Sequence, residues 1–198
     1  PYLLVVHPSM PAKNVRELIA LSKAKKGGLT YGSSGIGSLA HLGGALLAMA
    51  AGTELLYVPY KGSAPAVADV IAGQLDMAFP SILQATHVRS GRLRAIAVTS
   101  LQRSDSLPEV PTVAESGVPG YEINQWNGVL APPRMAPAFA ARLSGEINAV
   151  LAQADVKTRL SADGSEAVGT TPQAFAALLR AEVDKWKKLA KEANIRID

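Results

Sequence analysis

A chain of 198 residues, 48% apolar and 18% charged, is globular rather than disordered, with room for one large domain or two small lobes. A net charge of +4 and 5% aromatic residues exclude a nucleic-acid surface: the one lysine cluster, Lys185, Lys187, Lys188 and Lys191, is interleaved with Glu182, Asp184 and Glu192. The absence of cysteine excludes thiol catalysis, disulfides and thiolate metal sites.

In chain order, "YLLVVHP" reads as a buried strand stopped by Pro8. A helix follows, with Val15, Leu18, Ile19 and Leu21 on one face and Gly27-Gly28 at its end. "LTYGSS" is a short strand leading into a helix from Ser38 to Ala51. The apolar run Leu42 to Ala51 in that helix is too short to span a bilayer. "LLYVPYKG" is a strand, and "SAPAVADVIAG" a helix with Ser63 at its cap and Pro65 in its first turn. "LDMAFPS" is a strand, Ser81 to Ser90 a helix, and "LRAIAVTS" a strand. This alternation implies an α/β lobe over residues 1–100 built on a doubly wound parallel sheet.

The pattern changes over 101–198. A connection rich in Pro and Gly carries a short helix near Thr112 to Ser116, and "YEINQWNGVLAPP" is extended. Helices over Pro137 to Ala152 and Pro172 to Ala193 follow, separated by a short helix and a turn near Gly164. This half is rich in helix and reads as an incomplete second lobe.

The chemistry concentrates in "YGSSGIGSLAHLGG". Gly35-Ile36-Gly37-Ser38-Leu39-Ala40 fits the dinucleotide pattern G-x-G-x-x-A, but Lys61 stands where a ribose-binding acid is needed. A P-loop and a G-x-S-x-G nucleophile elbow are both absent. Ser38 and His41 share one helix turn, as a cap and its neighbour do, while His7 and His87 have no evident partners. No group of residues has metal-ligand spacing, and no cofactor is expected. A third reading rests on three β-α junctions, Ser33 to Ser38, Lys61 to Ser63, and Ser81. In a parallel sheet all three open at the carboxyl edge, where helix N-termini aim N–H groups into one cleft suited to a small anion. An anion- or nucleotide-dependent enzyme on a similar sheet stays open as the alternative.

The blocks "LTYGSSGIGSLAHLGGALLAMAAG", "VPYKGSAPAVADVIAGQLDMAF", "LRAIAVTSLQRSDSLPEVPTVAESGVPGYE" and "WNGVLAPP" make the chain resemble the Bug family, TctC-like substrate-binding proteins of tripartite tricarboxylate transporters. The resemblance implies a periplasmic solute-binding protein of the type II periplasmic-binding fold. It would capture a small di- or tricarboxylate or aromatic acid for membrane transporter subunits, or serve as an orphan sensor. It further implies that Ser33, Ser34, Gly35, Gly37, Ser38, Tyr60, Lys61, Gly62, Ser63 and Ser81 line the ligand side, and that His41 orients the loop. By the same resemblance, 1–100 is the family's second lobe and 101–198 the crossing segment and C-terminal helices of its first.

Two departures stand out. Many relatives carry an Asp after the "MAF"-like strand, where this chain has Pro80, which disfavours amino-acid ligands. Relatives also begin with a further stretch of the first lobe that nothing here matches. The expectation is an incomplete lobe whose helices leave Phe175, Leu178, Leu179 and Trp186 uncovered, a route to a homodimer.

Overall fold

The computed structural model describes residues 1–162 and 164–196. It divides into two compact units, Pro1–Gln125 with Lys188–Asp198, and Trp126–Lys187. In the first unit the elements run β1 (Leu3–Val6), α1 (Val15–Ala24), β2 (Leu29–Ser33), α2 (Leu39–Ala51), β3 (Leu55–Pro59), α3 (Ser63–Ile71), β4 (Met77–Ala78), a 3-10 turn (Ile82–Gln84), α4 (Thr86–Arg89) and β5 (Arg94–Val98). The sequence expectation of alternating strands and helices holds element by element. Ser81 to Ser90 breaks into the 3-10 turn and the four-residue α4.

The five strands form one sheet in the order β3-β2-β4-β1-β5. β2 pairs parallel to β3 and β4, as expected. β1 pairs antiparallel to both β4 and β5, so the sheet is mixed rather than wholly parallel. The apolar run of β1 could not reveal this, because strand direction is a property of the connections and not of the residues. All four residues of β1 are 0% exposed, which is what a central strand covered on both faces requires. Leu3 and Val5 join Val67 and Val70 of α3, with Leu75, Ile82 and Leu107, in one apolar cluster. Leu4 and Val6 point the other way by the alternation of the pleat and are equally buried.

The first unit runs on beyond β5 because residues 98–125 are tied into it. Val98 bridges Thr112, and the Thr99 hydroxyl donates to Ile123 O at 2.7 Å while accepting from Tyr2 N at 2.9 Å. The short helix expected near Thr112 to Ser116 is a single turn. Thr112 Oγ1 accepts from Glu115 N and Thr112 O from Ser116 N, and Gly117 at φ 113° with Pro119 prevents a second turn. Tyr121 and Ile123 are buried, but 121–133 forms no strand.

The second unit carries α5 (Pro137–Leu151), α6 (Ala154–Ala162) and most of α7 (Pro172–Glu192). No described residue of 126–187 is buried. Phe175 lies against the backbone at Gly128 and edge-on to Trp126, with ring centroids 5.6 Å apart. Phe139, Val150 and Leu178 are exposed.

Candidate functional site

β2, β4 and the antiparallel β1 determine what meets at one sheet edge. The carboxyl ends of β2 and β4 point there, and so does the start of β1, whose Tyr2 bridges Ser81. A cavity of about 110 Å³ opens at this edge. Its lining includes Tyr2, Ser33, Ser34, Ser63, Ser81 and Gln84, with Phe79 and Ala66 as apolar floor, and contains no carboxylate.

The loop from Ser33 to Ser38 is held by its own side chains. Gly35 (φ 133°) and Gly37 (φ 76°) adopt backbone conformations closed to most side chains, which is why this turn is built from glycine. The Ser33 hydroxyl, 2% exposed, donates to Gly35 O at 3.0 Å and receives Ser38 Oγ at 2.9 Å, with Tyr57 OH at 3.0 Å. Ser38 Oγ also caps α2 by accepting from His41 N at 3.2 Å. Both hydroxyls are therefore spent within the loop. The Ser34 and Ile36 N–H groups take no acceptor among the described residues, and those of Leu39 and Ala40 lie in the first turn of α2, where no intrahelical acceptor exists.

The other junctions add donors. Ser63 Oγ accepts from Gln84 Nε2 at 3.0 Å, which leaves its proton to give, and Ser81 Oγ accepts from Leu83 N at 3.4 Å with the same result. Gly62 precedes α3 at φ 125°, and the exposed Lys61 stands before it. Tyr60 does not face the cavity. Its ring packs over Gly32, its hydroxyl donates to Asp69 Oδ2 at 2.6 Å, and burial with that bond pushes its pKa up to about 12. Of the ten expected residues, Ser33, Ser34, Ser63 and Ser81 line the cavity, while Gly35, Gly37, Ser38, Lys61 and Gly62 belong to the adjoining loops and do not line it.

Sequence reasoning missed Tyr57. Parallel pairing of β2 with β3 sets Tyr31 beside Tyr57, and the two-residue alternation puts Ser33 on the same face, so the Tyr57 hydroxyl reaches under the loop. A larger, open groove of about 640 Å³ borders α1, α2 and residues 192–195. Its charges, Lys23 and Lys25 against Glu54 and Glu192, are of both signs and favour neither an anion nor a cation.

Residues 1–195 match the model of the tripartite tricarboxylate transporter family receptor, TctC. The chain belongs to this family. A TctC relative in a Pseudomonas species, described as a UPF0065 protein in the tcbD-tcbE intergenic region, is 41% identical over 98% of this chain and 59% of its own length. Among solved structures, R. palustris Rpa4515 with adipate is 35% identical, with a TM-score of 0.83 over 98% of this chain and 66% of that one. The periplasmic binding protein BugD is 32% identical, with a TM-score of 0.77 over 98% and 66%. MatC from Rhodopseudomonas palustris with bound malate is 27% identical, with a TM-score of 0.77 over 96% and 66%. The chain thus spans about three-fifths of the length of that Pseudomonas relative and two-thirds of these structures. Membership sets aside the enzyme alternative, since TctC proteins are solute receptors. Among the described residues no helix is long and apolar enough to cross a membrane, and no cluster of His, Asp or Glu could hold a metal ion.

Proposed function

We propose that this TctC protein captures a small carboxylate in the periplasm, its carboxyl group received at the β2-β4 edge, and delivers it to the membrane subunits of a tripartite tricarboxylate-type transporter. The observation that carries this reading is the cavity ringed by donors without one acidic residue. Serine protons at Ser63 and Ser81, open N–H groups at Ser34 and Ile36, and the positive end of α2 all favour an anion. A volume of about 110 Å³ suits one carboxyl end of a ligand. It falls short of the roughly 300 Å³ at which drug-sized pockets begin, which counts against a nucleotide. Relatives solved with adipate and malate support a dicarboxylate.

Calorimetric titration with adipate, malate, citrate, benzoate, NAD and ATP tests the proposal. One or more acids should bind and the nucleotides should not. Ser63→Ala should weaken acid binding by about 1 kcal/mol, one hydrogen bond, and Lys61→Ala by about 2 kcal/mol, one charge-assisted contact. Tight nucleotide binding without a response to any acid refutes it. The homodimer expected from the C-terminal helices is a separate proposal, supported by the lack of any buried residue among the described residues of 126–187 and tested by sedimentation at rising concentration.

A further inference from the structure

His41 sits behind the glycine loop rather than in the cavity. Its ring is 6% exposed, lies 3.9 Å from the Tyr57 ring in a stacked arrangement, and stacks more distantly on Tyr31 at 6.3 Å. Its backbone is engaged on both sides, with the N–H capped by Ser38 Oγ and the carbonyl accepting from Tyr31 OH at 3.1 Å. The one side-chain bond it makes to the loop runs from Gly37 N–H to Nδ1, at 3.0 Å. That bond needs a lone pair on Nδ1, so it exists only for the neutral ring carrying its proton on Nε2.

We propose that His41 is a positioning residue whose neutral Nδ1 holds Gly37, and through it the open N–H groups of the loop, in the anion-receiving shape, so that protonation of His41 weakens carboxylate binding. The inference rests on the carboxylate reading of the cavity. A proton on Nδ1 would set two donors, Nδ1–H and Gly37 N–H, against each other in a buried place. Ser38 N closes the turn on Gly35 O at 3.2 Å, but the Gly37 N–H itself has Nδ1 as its one acceptor among the described residues, and glycine's freedom at φ 76° leaves its orientation to that bond. Burial already lowers the His41 pKa, so the folded chain keeps the ring neutral at ordinary pH. His41 lines the larger groove, whose other ionisable groups are Lys23 and Lys25 from α1, Tyr31 from β2, Glu54 before β3, Tyr57 on β3, and Glu192 at the end of α7. Lys25 is engaged by Asp76 at 2.6 Å. His41 is the sole ionisable residue of α2 itself.

The test compares wild type, His41→Asn and His41→Phe by titration with adipate, malate and citrate between pH 5 and 8. An Asn oxygen can take the Nδ1 position and accept from Gly37 but cannot be protonated there. Phe keeps the stack on Tyr57 and removes the acceptor. His41→Asn should bind as wild type does at pH 8 and lose part of the weakening toward pH 5. The acid's own protonation is common to both proteins and cancels in the comparison. His41→Phe should bind about fivefold more weakly at pH 8, the order of one hydrogen bond. In parallel, the Gly37 amide resonance of the ligand-free protein should titrate with pH in wild type and stay still in His41→Asn.

Equal pH profiles for wild type and His41→Asn overturn the inference, as does wild-type affinity in His41→Phe or stronger relative binding by wild type at pH 5. If no acid binds wild type at any pH, the carboxylate reading fails instead, and the Gly37 resonance still decides whether His41 holds the loop.

Discussion

Gly44→Ala tests the packing that carries the site. Gly44 lies inside α2, where alanine is favoured over glycine by about 1 kcal/mol, and burying a methyl group adds about 0.8 kcal/mol. The structure opposes both gains. A Cβ at Gly44 would fall 2.1 Å from Tyr31 Cε2 and 2.5 Å from two further ring atoms. Tyr31 cannot swing aside, being 2% exposed, bonded to His41 O, beside Tyr57 at 5.3 Å and edge-on to Phe79 at 6.2 Å. Either the helix lifts from the sheet by about an ångström or the Tyr31 bond breaks. Overpacking at about 3 kcal/mol, with about 1 kcal/mol for the buried bond, outweighs the gains and leaves a net loss of about 2 kcal/mol. Urea unfolding followed by circular dichroism should show a midpoint lower by about 1 M at a typical slope for a small domain. Gly43→Ala is the milder comparison, since its new Cβ would clash with one terminal atom, Ile123 Cδ1 at 1.9 Å, with the next atoms at 3.4 Å, rather than with a hydrogen-bonded ring. It should lose less than half as much. A Gly44→Ala midpoint at or above wild type would show that helix propensity wins, and that α2 is not pinned to β2 as described.

Two further outcomes follow from hydrogen-bonded polar groups of the first unit. Burial alone would raise the Asp76 carboxyl, but bonds from Lys25 and from the Thr30 amide and hydroxyl outweigh it and hold its pKa below the ordinary value. A lowered folded-state pKa means this stabilisation is present above the unfolded value of about 3.9 and lost as pH falls through the folded one. Asp76→Asn should therefore cost about 1 kcal/mol at pH 7 and flatten the acid limb of a stability-against-pH curve below about pH 4. An unchanged limb places the acid sensitivity elsewhere. Thr99→Val keeps the shape of a fully buried side chain but strands Tyr2 N–H and Ile123 O. Thermal unfolding should report a loss of about 2 to 4 kcal/mol, and a loss under about 0.5 kcal/mol, the level of an ordinary surface change, refutes the role given to that hydroxyl.

The features legible in the sequence were the local ones. The apolar runs, the Ser38 cap and the glycines at 35 and 37 each follow from short-range rules, and they located the loop. What was not legible depends on long-range pairing. Ser33 reads as a ligand hydroxyl until β3 brings Tyr57 OH beneath it, when the Ser33 hydroxyl is seen to be taken up by the loop. Tyr60, in the block "VPYKG", reads as part of the site, yet its hydroxyl turns to Asp69 on α3, nine residues ahead. Thr112 to Ser116 has the composition of a helix start, and only Gly117 and the bridge to Val98 limit it to one turn.

The place of β1 also dictates an order of events in time. β2, β3 and β4 are linked by short helical crossovers, so their pairings can form while little chain has been ordered. β1 must wait, because Val6 pairs with Met77 and Leu3 with Val98, at the far end of the sheet-forming stretch. Until β5 exists the groove for β1 has one wall, and closing loops of that length is entropically slow. The β1-β5 side of this sheet therefore assembles after the β3-β2-β4 side. During synthesis β1 emerges before β4 and β5, the two strands it pairs with, and this apolar segment is open to capture by another chain until they follow.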